Sequence, residues 1–493
     1  MQPSSMISKR TLGIGLAITG LFLFFWNIGG LPFRDYDEAL YAQVIKESAQ
    51  EQRFLPLTLH GEAHFDKPPL YFWIATVIAR TFTFSEGTAR LPSALLGIGS
   101  ILLTFFIAKE LTGKQSIAYL ASTILLLTPA FLEASRQVRL DVPVTFFILL
   151  GTYAYVRGWN NPRWYLLIGI AGALGFLSKS VVIGLLLPSI VILAIAYTQF
   201  SFLRSAYFWS GVLLGIGTLA LWTLSEITRD GSQFLDIYVM SHLVNRVGKE
   251  VVGTGVTAWT YLHLLVRFVE PWILIFLVSI VGFCIQLARR GKIMLTENRL
   301  AITAGCITLI MFSVFALSAT KLFYYLAPLY PFMALSLAGV GYQLYATAKD
   351  EITRKGTLFI GSFILLIGLI STIYIGFHID DRMGIKELSK EEARLGNALR
   401  PLHHGDVPVY AINHLFWDTI NFYGETVVTS PPQIWPPHFL LITPTYLLSQ
   451  TKSTLQEAVS VPYQGPMLSL IEVRELRCVV ECDEKENEQE YLP

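Results

Sequence analysis

The chain has 493 residues, 53% of them hydrophobic and only 15% charged, with a mean hydropathy of +0.52. Soluble domains carry about 25% charged residues, so this composition excludes an ordinary water-soluble globule and reads as a polytopic membrane protein. A formal net charge of +1 argues against a nucleic-acid partner.

Lys9 and Arg10 precede a full-length apolar run with no small-residue cleavage site before Asn27. That pattern reads as a signal anchor retained in the membrane. The loop that follows, Leu31 to Trp73, packs Arg34, Asp35, Asp37, Glu38, His60, His64, Asp66 and Lys67 close to hydrocarbon. Charge in that position is costly, so a functional site is expected there.

Apolar runs fall at 12–31, 91–110, 116–133, 142–157, 164–177, 180–198, 207–226, 262–288, 300–318, 322–345 and 357–378. The expected fold is an all-α membrane bundle of about 11–13 transmembrane helices, although several runs fall short of the ~20 residues of a perpendicular span. Leu70–Phe84 carries Arg80 and is expected to lie in the interface. With the N-terminus in the cytoplasm, the inner loops then hold Lys109, Lys114, Arg157, Arg163, Arg204, Arg289, Arg290, Lys292, Arg299, Lys349, Arg354 and Lys355. That distribution is positive-inside. It places the first loop (31–90), the 136–141 segment, Lys179, the 227–260 loop, Lys321 and everything after 379 outside a plasma membrane.

Residues 1–378 therefore read as the transmembrane domain and 379–493 as a small extracytoplasmic α/β domain. The latter opens with a surface helix over Lys386–Arg394. Short β-like runs follow at Val407–Ile412, Thr426–Thr429, Phe439–Ile442 and Leu468–Val473, before an acidic tail. Cys284 and Cys306 are expected as buried, inert thiols in spans. Cys478 and Cys482 lie where a disulfide is permitted.

Four constellations carry chemistry. A helix over Tyr36–Gln50 puts Asp37 and Tyr41 on one face, where a carboxylate can serve as general base or hold a divalent cation. An N-cap role for one of these acids is the structural alternative. Asp66-Lys67-Pro68-Pro69 holds an extended lysine at headgroup depth, suited to a phosphate. In the 227–260 loop, Arg246 suits bidentate phosphate contact and His242 is a candidate metal ligand, with Asp66, for a divalent metal. Lys321-Leu-Phe-Tyr-Tyr opens a span at the outer interface, while Arg139 and Asp141 either form a structural ion pair or line the same cavity.

The strings RDYDEALYAQV, FDKPPLYFW, ARLPSAL, RQVRLDVP and KLFYYLAPLYP resemble the GT-C glycosyltransferases. Within them the chain is most similar to the lipid A aminoarabinose transferases and protein O-mannosyltransferases, from residue 10 to about 345. The resemblance implies inverting transfer of a sugar from a polyprenyl-phosphate donor to a lipid, glycan or protein acceptor at the outer membrane face. It implies that Asp37 is the catalytic acid residue of the first loop, with Glu38 and Asp66 beside it in the catalytic set. Asp66 stands where Glu is common. It further implies that Lys67, Arg246 and Tyr325 contact the carrier phosphate, with Tyr41, Arg139, Asp141 and Lys321 as further substrate-binding candidates. Two departures stand out: Leu40 occupies a position that is Arg in many aminoarabinose transferases, and the spacing around His242 and Arg246 does not align. The alternative reading is a transporter or lipid flippase, but such proteins show inverted repeats and broken midplane helices rather than charge gathered at one face.

Overall fold

The computed structural model describes residues 9–34, 36–244, 257–290, 298–318, 321–348, 351–382, 385–403, 407–412, 417–432, 435–455 and 459–474. These divide into two compact units, one of residues 1–29 and 45–379, the other of 30–44 and 380–493. The front of the first loop, which the sequence groups with the membrane domain, thus packs with the C-terminal part. Asp35, Arg246, Cys478, Cys482 and the acidic tail lie outside the described residues, as does the His242 side chain.

The first unit is helical. Its elements are α1 (Lys9–Phe25), the second half of α2 (Asp37–Gln50), α3 (Leu70–Phe82), α4 (Glu86–Thr112), α5 (Gln115–Leu126), α6 (Pro129–Ser135) and α7 (Asp141–Gly158). They continue with α8 (Leu166–Lys179), α9 (Leu186–Tyr197), α10 (Ala206–Phe234), α11 (Ala258–Val269), α12 (Trp272–Arg290), α13 (Arg299–Leu317), α14 (Leu329–Thr347) and α15 (Glu351–Arg382). A small hairpin of β1 (Thr58–Leu59) and β2 (Glu62–Ala63) lies between α2 and α3.

Among the described residues, five helical stretches are by length and apolarity alone fit to cross a membrane, six if the pair α5–α6, bent by 68°, counts as one. The sequence reading of eleven or more spans is therefore not matched helix for helix by that criterion. The physical reason is visible in α7, which carries Asp141 and Arg157 near its ends and is buried almost throughout. A helix sheltered by neighbours need not be long or wholly apolar. The 36-residue stretch Pro162–Tyr197 is not one rod either. Lys179 at the end of α8 meets Asp141 at the start of α7, while Tyr155 near the end of α7 donates to the Gln199 carbonyl at 2.7 Å. The chain therefore turns back at Ser180, whose φ is 45°, as the two separate runs in the sequence imply.

Close helix contacts rest on small residues. A Cβ on Gly169 of α8 would lie 2.2 Å from the backbone of Gly211 in α10, so only glycine lets these two helices meet backbone to backbone.

The bundle has two chemically distinct ends. At one, Arg157 pairs with Glu110 at 3.1 Å, Lys114 lies 4.1 Å from the Tyr342 ring and Arg299 5.2 Å from the Tyr197 ring. At the other stand Asp141, Lys179 and the Arg136 guanidinium, which donates to the Leu23 and Trp26 carbonyls at 2.6 and 2.7 Å. Arg136 thus satisfies carbonyls left open at the end of α1. The thirteen-residue α3 is about 20 Å long at 1.5 Å per residue, short of a hydrocarbon core of about 30 Å. Cys284 and Cys306 are exposed on α12 and α13 rather than buried as expected. Lipid-facing surfaces of a bundle are as apolar as its interior, so hydropathy does not tell the two apart.

The second unit is a five-stranded mixed sheet in the order β4-β3-β5-β7-β6, with β3 (Val409–Ala411), β4 (Val428–Thr429), β5 (Phe439–Pro444), β6 (Val459–Gln464) and β7 (Leu468–Val473). β3 is parallel to β4 and β5, whereas β7 is antiparallel to β5 and β6. Strand alternation builds two cores. Leu440, Ile442, Leu468 and Leu470 pack with α16 (Ile385–Leu399) and α17 (Asp418–Gly424), while Phe439, Leu441, Ile471 and Val473 pack with Trp435 and α18 (Leu448–Leu455). Four strands fall in the four β-like runs of the sequence. The fifth, β6, contains Pro462, which suits an edge strand and masks its pattern.

Candidate active site

The acid-bearing segment is built at the start of α2, a helix whose Ala, Glu, Lys and Gln content favours it. The Tyr41 hydroxyl lies 3.3 Å from Asp37 Oδ1, so the four-residue spacing does put the two on one face. Glu38 is fully buried, and its Oε2 accepts the Arg34 backbone N–H at 3.0 Å. Ala39 N–H in turn donates to the Arg34 carbonyl at 3.0 Å. The observed work of Glu38 is therefore to close the first turn of α2, beside Asp37.

Within the helical unit, a second group gathers at one end of the bundle. Asp141 and Lys179 form an ion pair with side chains 4% and 17% exposed. The Lys179 ammonium also lies 4.4 Å from the Tyr325 ring centroid and 5.8 Å from that of Tyr324. The Arg139 guanidinium covers the other partner, 3.9 Å from the Tyr324 centroid. Its Nε donates to Gln137 Oε1 at 3.0 Å, and Gln137 Nε2 donates to Glu133 Oε1 at 2.9 Å. Arg139, Gln137 and Glu133 are all buried. Lys321, expected nearby, donates to the Ser318 carbonyl at 2.9 Å and is half-buried.

The Asp66-Lys67 loop reaches the same end. Phe65 packs with Leu177, two residues before Lys179, and with Phe234 and Tyr238. Past the prolines, the Tyr71 hydroxyl lies 3.1 Å from Ser93 Oγ, which in turn lies 3.3 Å from the Arg139 backbone N–H. Asp66 and Lys67 are half-buried. Lys67 lines a pocket with His64, Phe65, Trp222, Glu226 and Phe234. Glu226 is 4% exposed; its Oε1 accepts the Trp222 indole N–H at 3.1 Å.

Near this loop, the β1–β2 turn is pinned by Glu47, whose carboxylate accepts the His60 and Gly61 backbone N–H at 2.7 and 3.3 Å. Burial lowers the His60 imidazole below its ordinary pKa, against an upward pull from Glu47.

Sequence reasoning named Asp141, Arg139 and Tyr325, placed Lys179, Tyr324 and Gln137 at the same face without assigning them a role, and missed Glu133. A lysine in the two-residue gap between two apolar runs was the signal for Lys179. Among the described residues, no three His, Cys, Asp or Glu side chains cluster as a metal site. The proposed pair of Asp66 and His242 is not described on its histidine side.

Residues 66–223 match the family described as dolichyl-phosphate-mannose-protein mannosyltransferase. The structure is similar to that of ArnT from Cupriavidus metallidurans bound to undecaprenyl phosphate, with a TM-score of 0.71 and 16% identity, covering 94% of this chain and 98% of that one. The chain has the ArnT fold. Among sequence relatives, an uncharacterized protein of Aquifex aeolicus is 25% identical over 362 residues, 72% of this chain and 68% of its own. The undecaprenyl phosphate-alpha-4-amino-4-deoxy-L-arabinose arabinosyl transferase 1 of Proteus mirabilis is 25% identical over 244 residues. That match spans 48% of this chain and 44% of the Proteus protein, so the chain matches less than half of that relative's length.

Proposed function

We propose that the chain is an inverting glycosyltransferase that moves a sugar from a polyprenyl-phosphate donor to a hydroxyl acceptor at the outer face of the plasma membrane. The observation that carries the reading is the cluster of buried Arg139 with half-buried Lys179, Tyr324 and Tyr325 at the end of the bundle that also holds Lys67. Cations and phenols in a site of low dielectric suit a phosphate whose charge grows as it departs. Support comes also from the GT-C fold and from the match to a family named for a lipid-phosphate sugar donor.

In this reading the acceptor oxygen attacks the anomeric carbon while the bond from that carbon to the phosphate oxygen breaks. The hydroxyl proton passes to the Asp37 carboxylate, and the polyprenyl phosphate leaves as an anion. Tyr41, at 3.3 Å, orients the Asp37 carboxylate. Lys67, Arg246 and Tyr325 hold the phosphate, with Lys179 kept in place by Asp141. A divalent metal remains a proposal that Asp66 and His242 would serve.

The reading predicts a missing sugar on an envelope lipid, glycan or protein when the chain is absent. Mass spectrometry of envelope fractions with and without it, followed by transfer from a defined undecaprenyl-phosphate sugar in proteoliposomes, is the direct test. Carrier movement across the bilayer without any transferred sugar would favour the flippase alternative instead.

A further inference from the structure

Phe33 stands four residues before Asp37 and is fully buried. Its backbone N–H donates to the Tyr423 hydroxyl at 3.1 Å, and its carbonyl accepts from the Thr419 hydroxyl at 3.4 Å. Its ring meets Phe422 edge-on, with centroids 5.0 Å apart and planes at 82°. All three partners lie on the seven-residue helix α17, and the hydrogen bonds join residues 390 and 386 positions apart. Nothing in the local sequence of the first loop calls for such an anchor.

We propose that α17, acting chiefly through Tyr423, is a positioning element for Asp37, and that this is a function of the C-terminal domain. The inference rests on the assignment of Asp37 as the base. Loop residues ahead of a helix ordinarily keep considerable conformational freedom. Here Phe33 is fixed on both of its backbone groups, and the described residues around Asp37 are tied to one another. Arg34 N–H is held by Glu38, Ala39 N–H by the Arg34 carbonyl, and the Asp37 carboxylate by Tyr41. In this proposal a shift of Phe33 reaches Asp37 through Arg34 and the first turn of α2. Displacement of a reacting group by about 1 Å can cost on the order of a hundredfold in rate.

α17 is itself rigidly placed. Asn421 Oδ1 accepts the Val428 N–H at 2.8 Å and ties the helix to strand β4, while Ile420 is fully buried against the sheet. The phenol thus stands on the sheet scaffold rather than on a loop. Tyr423 touches no proposed substrate atom and acts through Phe33, which separates it from the catalytic set.

The test uses the full-length protein in detergent or nanodiscs and the Tyr423→Phe variant, which keeps the ring and removes only the hydroxyl. Two readouts are taken. Hydrogen–deuterium exchange over residues 30–44 should become several-fold faster, with the β5 and β7 peptides unchanged. Transfer at saturating donor should fall about tenfold, the loss expected for one misplaced contact, while KM for the lipid donor stays within about twofold. Thr419→Val, which removes only the carbonyl contact, should give a smaller effect of the same kind and serves if the first variant does not accumulate. Unchanged exchange over 30–44, or unchanged kcat in an active enzyme, would overturn the positioning role. So would a loss confined to thermal stability, with full turnover per folded molecule. An Asp37→Asn chain that still transfers sugar would instead overturn the proposed base, and the exchange readout separates the two failures.

Discussion

Asp141 and Lys179 sit 38 positions apart and meet as a largely buried ion pair, 4% and 17% exposed, at one end of two antiparallel helices. The Lys179 ammonium faces the Tyr325 ring on its other side. A buried pair gains little over apolar packing, but removing one partner strands the other. Asp141→Asn should therefore destabilise the carrier-free protein, by roughly 3–5 kcal/mol. If Lys179 also serves the carrier phosphate, undecaprenyl phosphate should restore more stability to the variant than it adds to the parent. Thermal unfolding with and without the lipid measures both. Equal lipid-induced shifts in the two proteins would exclude Lys179 from the phosphate site.

Asp37→Asn should abolish transfer without loss of folding or insertion. The amide keeps the size of the side chain and can still pair with the Tyr41 hydroxyl seen at 3.3 Å, but it cannot take up a proton. Turnover by the purified variant is the measurement, and retention of more than about a tenth of the parent rate would remove Asp37 from the role of base.

The β1–β2 turn should carry a small pH dependence of stability. His60 has its pKa lowered by burial, so the folded state prefers the neutral ring. Stability from this site is present above the unfolded pKa of about 6.5 and is lost as pH falls through the lower folded value. His60→Asn removes the titration and tolerates the positive φ of 54° at this turn. Unfolding midpoints followed from pH 7.5 down to about pH 5 should fall more steeply for the parent than for the variant. Parallel profiles would show that His60 does not report on the fold.

Much of this architecture was legible in the sequence, and what escaped did so for stated reasons. The helix over 37–50 and the Asp37–Tyr41 contact follow from composition and a spacing of four. The gathering of the 136–141 segment and Lys179 at one end of the bundle follows from the run pattern and the placement of basic residues. The exact partners do not, because Asp141–Lys179 and Arg139–Tyr324 join residues that no local pattern relates. The span count was less legible still: hydropathy measures a helix alone, whereas α7 is sheltered by its neighbours and keeps charge near both ends. The grip of α17 on Phe33 has no trace in the sequence, since it lies almost four hundred residues away.

Membrane orientation is open to direct measurement. The exposed positions Glu62 and Glu387 belong outside in the proposed topology, and exposed Arg163 belongs inside. With all four native cysteines first replaced, an impermeant maleimide on intact cells should label Glu62→Cys and Glu387→Cys but not Arg163→Cys. Labelling of Arg163→Cys together with protection of Glu62→Cys would invert the assignment and move the proposed site to the cytoplasm.

The carrier prediction joins residues that no single segment holds. Lys67 follows Asp66 in a loop stiffened by two prolines, and Phe65 ties that loop to the end of α8 beside Lys179. If Lys67 and Arg246 share one phosphate, each substitution alone should weaken undecaprenyl-phosphate binding. Lys67→Ala should be severe, because a partly desolvated phosphate left under-compensated costs roughly 2–5 kcal/mol. Lys67→Arg should rescue only in part, since a planar fork does not replace a compact ammonium at one fixed point. The two losses should also fail to add, as expected of residues that share a ligand. A double-mutant cycle on Lys67 and Arg246, read by titration of the carrier lipid into the detergent-solubilised protein, gives the coupling energy. A value indistinguishable from zero would mean that the two cations hold different groups, and the assignment of Lys67 would then rest on the pocket it shares with Glu226 alone.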